Sequence, residues 1–281
     1  MRRYYSQRKG TTSTKISLEA LKEIFSSIFQ DFRLRGYFDE YFGIICTDGD
    51  IPGKIGQNIE GYVLRKIRKN NLWPILEKYN NYSEEDLFDM IEFIFDHVSF
   101  PLKKDAFFHE WNDCGWHYKN FDQIHGQLDY ANELNQFLND YKDGFELNSH
   151  SGEILYLLKP EFRPLLEAVV PTNDDENIQS KIKYVVEKFR KYGSTLNDRG
   201  EAVRSLADCL EFLRPDIKKV LDRKDESDLF NIVNNFGVRH HNLEQKTNYN
   251  KNIWLNWMFY YYLSTLHACL RLIRQKQKGG E

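Results

Sequence analysis

The groups best suited to acid–base chemistry in this 281-residue chain lie in its last third, where residues 234–246 read NNFGVRHHNLEQK. Arg239, His240 and His241 follow an apolar stretch with helical spacing. Histidine titrates near neutral pH and moves protons in either direction. Arginine stays charged and presents a planar fork of N–H donors that fits a phosphate. RNA brings its own nucleophile, the 2′-hydroxyl. These residue types therefore suit cleavage of RNA without a metal. One histidine takes the 2′-OH proton and the arginine stabilises the charge developing on the phosphate. The second histidine, or a tyrosine, protonates the leaving oxygen. The plainer readings are cations at the C-terminal end of a helix dipole, or an arginine in a salt bridge between two helices.

Helix geometry bears on the choice. At about 100° per residue, Leu229, Ile232, Val233 and Phe236 share one face. Arg239 and His240 follow Phe236 by three and four residues, so a continued helix brings both beside the apolar stripe. His241 and Asn242 face more outward. On the preceding helix Arg204, Asp208 and Glu211 form a polar stripe beside Val203, Leu206, Leu210 and Leu213. The last helix carries Asn256, Tyr260, His267 and Arg271 along a third. Buried polar groups need partners, so Asp208 and Glu211 are expected to orient Arg239 or a histidine. Lys246 and Tyr249, in the polar loop 242–252, are candidates to touch RNA.

Two other stretches hold reactive residue types. HEWNDCGWH (109–117) contains His109, Cys114 and His117, three residue types that ligate zinc. The H-x4-C-x2-H spacing shows no fourth ligand nearby, and Trp111 and Trp116 suggest packing. The expectation is a structured loop and no metal. TDGDIPGK (47–54) lacks the terminal glutamate of an EF-hand. It also lacks the spacing and the Ser/Thr of a P-loop, and is expected to be a plain loop. No cofactor is expected.

The composition is that of a globular chain: 41% apolar, 29% charged, 20 Phe and 17 Tyr. The formal net charge of −3 gives no global field for nucleic acid. The charge is uneven, however: residues 174–281 carry 19 Lys+Arg against 15 Asp+Glu. Cys46, Cys114, Cys209 and Cys269 are widely spaced, which fits a reducing cytoplasm better than a disulfide scaffold. The N-terminal MRRYYSQRKG has no apolar signal-peptide core. IWLNWMFYYYLSTLHACLRLI (253–273) has the length of a membrane span. Its Asn256, His267 and Arg271 argue against one.

Positioning falls mainly to helices. Periodicity predicts them at 17–34 with Ser17 as N-cap, at 55–72, 83–99 and 121–141, and near 160–169. GFELNSHSGEILYL (144–157) reads as a β-hairpin. The polar break VVPTNDDEN (169–177) is taken as a domain boundary. Beyond it come helices at 176–192, 196–213 capped by Ser194 or Thr195 and ended with help from Pro215, 225–240, and 253–275. The expected fold is mainly α: an α+β domain over 1–170 and a bundle of four or five helices over 174–281.

The stretches AVRSLADCLEFLRP (202–215), LFNIVNNFGVRHHN (229–242) and Tyr249 with the IWLNWMFYYYL run resemble the HEPN superfamily of helical bundles. YYSQRKG (4–10), FFHEWNDCGWHY (107–118) and the hairpin resemble N-terminal domains of AbiJ-like abortive-infection proteins. The resemblance implies a toxin or anti-phage protein whose C-terminal domain is a metal-independent endoribonuclease acting on RNA, such as tRNA. It implies a homodimer formed through that domain, and an N-terminal domain that senses a phage trigger or a regulatory protein. Arg239 matches the family's arginine. The family's histidine follows after a gap, at positions that here hold Glu244, Gln245 and Lys246. The histidine role therefore goes to His240 or His241 by helix geometry. The alternative is an inactive HEPN-like module that binds a partner protein or a nucleotide.

Overall fold

A computed structural model describes residues 4–9, 15–157, 162–172, 174–235 and 250–278. The chain is mainly helical and divides into two compact units, Met1–Leu157 and Leu158–Glu281.

In the first unit, helix α1 (Leu18–Leu34) starts at Ser17, whose hydroxyl accepts a hydrogen bond from the Ala20 amide at 3.2 Å. Such a cap satisfies one of the amides a helix start leaves without a partner. Leu21, Phe25, Ile28, Phe29 and Phe32 recur at helical spacing and are buried. Helix α2 (Ile59–Ile67) starts at Asn58, whose Oδ1 accepts from the Gly61 amide. It ends where Arg68 turns left-handed, at φ 62°, and so falls short of the predicted 55–72. Helix α3 (Glu84–Asp96) opens with a capping box between Ser83 and Asp86. Helix α4 (Gln123–Leu138) is capped by Asp122.

The described part of this unit also holds short helices at Tyr5–Lys9, Asp39–Phe42 and Ile75–Lys78 and three two-stranded antiparallel sheets. Strand β1 (Phe100–Leu102) pairs with β4 (Asn120–Asp122). Strand β2 (Phe107–His109) pairs with β3 (Gly115–His117) in a register that sets His109 opposite Gly115 and Phe107 opposite His117. Strand β5 (Phe145–Leu147) pairs with β6 (Ile154–Tyr156), as the 144–157 pattern predicts. The β2–β3 hairpin occupies the stretch expected to be a loop. Its aromatic and polar residues do not alternate as a half-buried strand pair would.

The second unit contains helices α5 (Ser180–Arg190), α6 (Leu196–Phe212), α7 (Arg223–Asn235) and α8 (Lys251–Lys278). Thr195 caps α6 in a second capping box with Asp198. Pro215 lies in the first turn of a short helix, Arg214–Ile217. There its missing N–H costs nothing. Leu206 and Leu210 of α6 share one core with Phe259, Tyr262 and Leu266 of α8. Phe189 stacks on Phe259 with centroids 3.8 Å apart. Leu165, Leu166 and Val170 pack against this core, and Phe162 stacks on Tyr260. That packing explains why the units divide at 157/158, ahead of the predicted break at 169–177. Near 160–169 the described helix is one turn, Arg163–Leu166. No helix among the described residues is long and apolar enough to cross a membrane.

Phe259 is fully buried, so Phe259→Ala should cost the bundle ~3–5 kcal/mol. Thr195→Ala should cost ~1 kcal/mol through the lost cap. Urea denaturation followed by helical circular dichroism checks both, and equal effects would refute the assignment of core against cap.

Candidate functional site

Arg239, His240, His241, Lys246 and Tyr249 lie outside the described residues. Asp208 and Glu211 lie within them, on α6. Asp208 is exposed. Glu211 accepts from Arg214 at 3.3 Å, and the same guanidinium donates through Nε to Glu226 at 2.6 Å. Arg214 also covers the Phe230 ring at 4.3 Å. Glu211 thus belongs to a network that joins the end of α6 to α7. On α8 the expected stripe straddles the core boundary: His267 is buried and Tyr260 half-buried, while Asn256 and Arg271 are exposed. Burial, then Arg271, lowers the pKa of His267 and favours the neutral ring.

Among the described residues, one group of His, Cys, Asp or Glu side chains lies close enough together to share a metal ion, and it is in the first unit. Cys46, His109, Cys114 and His117 offer one ligand atom each, all within 4.8 Å of one another. Cys46 Sγ lies 3.6 Å from His109 Nδ1, and Cys114 Sγ lies 3.2 Å from His117 Nε2. The other nitrogen of His109, Nε2, lies 3.4 Å from Asp48 Oδ2. His117 is buried, and its Nδ1 has no hydrogen-bond partner among the described residues. The Asp48 amide donates to Cys46 Sγ at 3.4 Å.

Local geometry explains how these four meet. His109 ends β2, while Gly115 and His117 belong to β3, so the hairpin folds His109 back towards Cys114 and His117. At its tip Asn112 and Gly115 take φ values of 53° and 93°. Cys46 comes from the 43–54 loop, which is closed by the Ile44–Ile51 bridge. The neck of that loop requires glycine. A Cβ on Gly43 would sit 2.2 Å from Ile51 O, and one on Gly53 would sit 2.2 Å from Tyr41 O. The H-x4-C-x2-H spacing shows three members of this group. The fourth, missing from the local pattern, is 63 residues before His109.

Beside the cluster is an open cavity of about 830 Å³. Phe38, Phe42, Trp73, Trp116 and Tyr118 line it together with Asp39. Burial raises the Asp39 carboxyl to about 7, against a smaller opposing pull from Arg33. No sequence signal singled out Asp39, because its burial arises from segments far apart in the chain. Compared with protein families, curated proteins and solved structures, the chain matches none of them.

The folded pKa of Asp39 lies above its unfolded value of 3.8. The folded state therefore binds this proton more tightly, and the group's unfavourable effect on stability grows as pH rises from about 4 to 7. Asp39→Asn should stabilise the protein at pH 8 by on the order of 2 kcal/mol. The gain should shrink as pH falls and vanish by about pH 3, where Asp39 is mostly protonated in both states. Chemical denaturation of both proteins across this range checks it. A gain independent of pH would show that Asp39 is not held neutral.

Proposed function

We propose that the chain is a two-part defence or toxin protein whose C-terminal bundle cleaves RNA without a catalytic metal. The carrying observation is the Arg239-His240-His241 run, four to six residues beyond the end of α7 at Asn235. Leu229 and Phe230 anchor that helix in the bundle core. In this reading His240, with His241 as alternate or second group, removes the 2′-OH proton. The 2′-oxygen attacks the adjacent phosphorus, and the bond to the 5′-oxygen breaks. Arg239 stabilises the added negative charge. A protonated histidine returns a proton to the leaving 5′-oxygen. The products are a 2′,3′-cyclic phosphate and a 5′-hydroxyl. Asp208 and Glu211 act as positioning residues, Glu211 through Arg214, while Lys246 and Tyr249 contact the RNA. Two copies joined through the bundle form one cleft, and the first unit senses the trigger.

A second reading has support of its own. Glu244, Gln245 and Lys246 occupy the positions of the family's histidine. At the start of α8, Ile253 is 64% exposed, with Trp254 and Trp257 exposed beside it. These features suit an inactive bundle that binds a partner protein or a nucleotide.

The test is cleavage of total tRNA by the full chain with magnesium withheld, beside an Arg239→Ala/His240→Ala variant. The nuclease reading expects cleavage by the wild type, a loss of at least about a hundredfold in the variant, and cyclic-phosphate ends. It also expects no cut where the scissile nucleotide is 2′-deoxy. Equal cleavage by both proteins, or cleavage of the deoxy substrate, would overturn it. A folded wild-type dimer that cleaves nothing but binds nucleotide or protein would favour the second reading.

A further inference from the structure

We infer that Cys46, His109, Cys114 and His117 form a structural metal site for a divalent first-row cation, zinc by its donor set, that clamps the 43–54 loop to the β2–β3 hairpin. The inference is independent of the nuclease reading, because it concerns residues of the first unit alone.

Several independent features converge on it. A tetrahedral zinc ion with bonds of about 2.3 Å to sulfur and 2.0 Å to nitrogen separates its ligand atoms by roughly 3.3–3.8 Å. The two closest sulfur–nitrogen pairs here are 3.6 and 3.2 Å apart, and the whole set falls within 4.8 Å. Cys46 Sγ also accepts a hydrogen bond from the Asp48 amide at 3.4 Å. His109 faces Cys46 with Nδ1 and Asp48 with Nε2. Metal-bound histidines are commonly oriented in this way, by a carboxylate on the second nitrogen.

Without an ion the same arrangement is hard to account for. Cys46 and Cys114 are free thiols, and thiols make only weak hydrogen bonds. His117 is 3% exposed; its ring packs on Phe107 and His109, but its only polar contact among the described residues would then be to sulfur. Burying a polar ring with so little compensation is unfavourable, and a metal–nitrogen bond at Nε2 would replace the weak contact to sulfur, while Nδ1 has no hydrogen-bond partner among the described residues. Two thiolates also neutralise a divalent charge, so the loaded site suits a half-buried position.

The donor set defines the role. Two cysteines and two histidines fill a tetrahedron and leave no open position for substrate, as in structural zinc sites. Cys46 stands alone on the loop and the other three lie on the hairpin, so the ion cross-links segments more than 60 residues apart. Ile44 and Ile45 of the loop and Gly115 and Trp116 of the hairpin line the same cavity. The clamp therefore also shapes the wall around Asp39.

The full chain, made under reducing conditions with zinc supplied, should retain about one zinc per chain after dialysis. Cobalt substitution should give a thiolate-to-cobalt charge-transfer band and the strong visible bands of a tetrahedral centre. Cys46→Ser should weaken zinc binding by more than about a hundredfold in competition with a chromophoric chelator. Asp48→Asn, which alters an exposed side chain and keeps all four ligands, should weaken it about tenfold. A folded wild-type protein without the cobalt charge-transfer band would overturn the proposal, even if the cysteine variant fails to fold. So would unchanged zinc affinity in Cys46→Ser, or recovery of Cys46 and Cys114 as a disulfide.

Discussion

The first unit depends on the burial of helix α3 on most of its sides. Leu87, Phe88, Met90, Ile91, Phe93, Ile94 and Phe95 are all buried along its thirteen residues. A helix this apolar needs neighbours around it, and α1, α4 and the β5–β6 hairpin supply them. The polar groups near it are matched as well. The Ile154 amide donates to Glu92, and the Gln127 side chain donates to the Phe95 carbonyl. Gly152 turns so close to Phe95 that a Cβ would sit 2.4 Å from its ring. A larger residue there would have to displace an aromatic ring of the core.

The segments bearing the metal ligands are built differently. The 43–54 loop and the β2–β3 hairpin are short and polar, and they expose Ile45, Trp111 and Trp116. Apolar burial contributes little to holding them, which is the situation in which small structures rely on a metal or a disulfide. A bound ion would replace a missing piece of core with four strong bonds. It would also fix the edge of a cavity lined by Asp39, a half-buried carboxyl whose pKa burial raises to about 7.

The second unit joins its helices chiefly through apolar packing between α6 and α8. Arg214 adds a polar link, held by Glu211 and Glu226 and stacked on Phe230. Glu226 is the more buried of its two carboxylates and accepts the shorter bond. The network fixes the end of α6 against α7, the helix that leads into the Arg-His-His stretch. Its effect on any chemistry there would be through position.

Local chemistry determined much of this protein. Ser17, Ser83 and Thr195 cap helices at or next to the starts that their sequence context predicts, because a cap needs only the next three residues. The β5–β6 hairpin was equally legible, since its two apolar runs flank a turn-forming stretch. Helix α2 was overextended because apolar periodicity continues past Arg68, whose left-handed turn periodicity cannot register. The compact units divide ahead of the predicted break: a proline and acidic residues at 169–177 look like a linker, while Val170 packs against the bundle core. His109, Cys114 and His117 were visible as a cluster, but without Cys46 their spacing argued against a metal. Only the tertiary structure brings Cys46 to them. The folding of a glycine-necked loop onto a hairpin more than 60 residues away leaves no period, cap or spacing in the chain. It follows from which surfaces must be buried together.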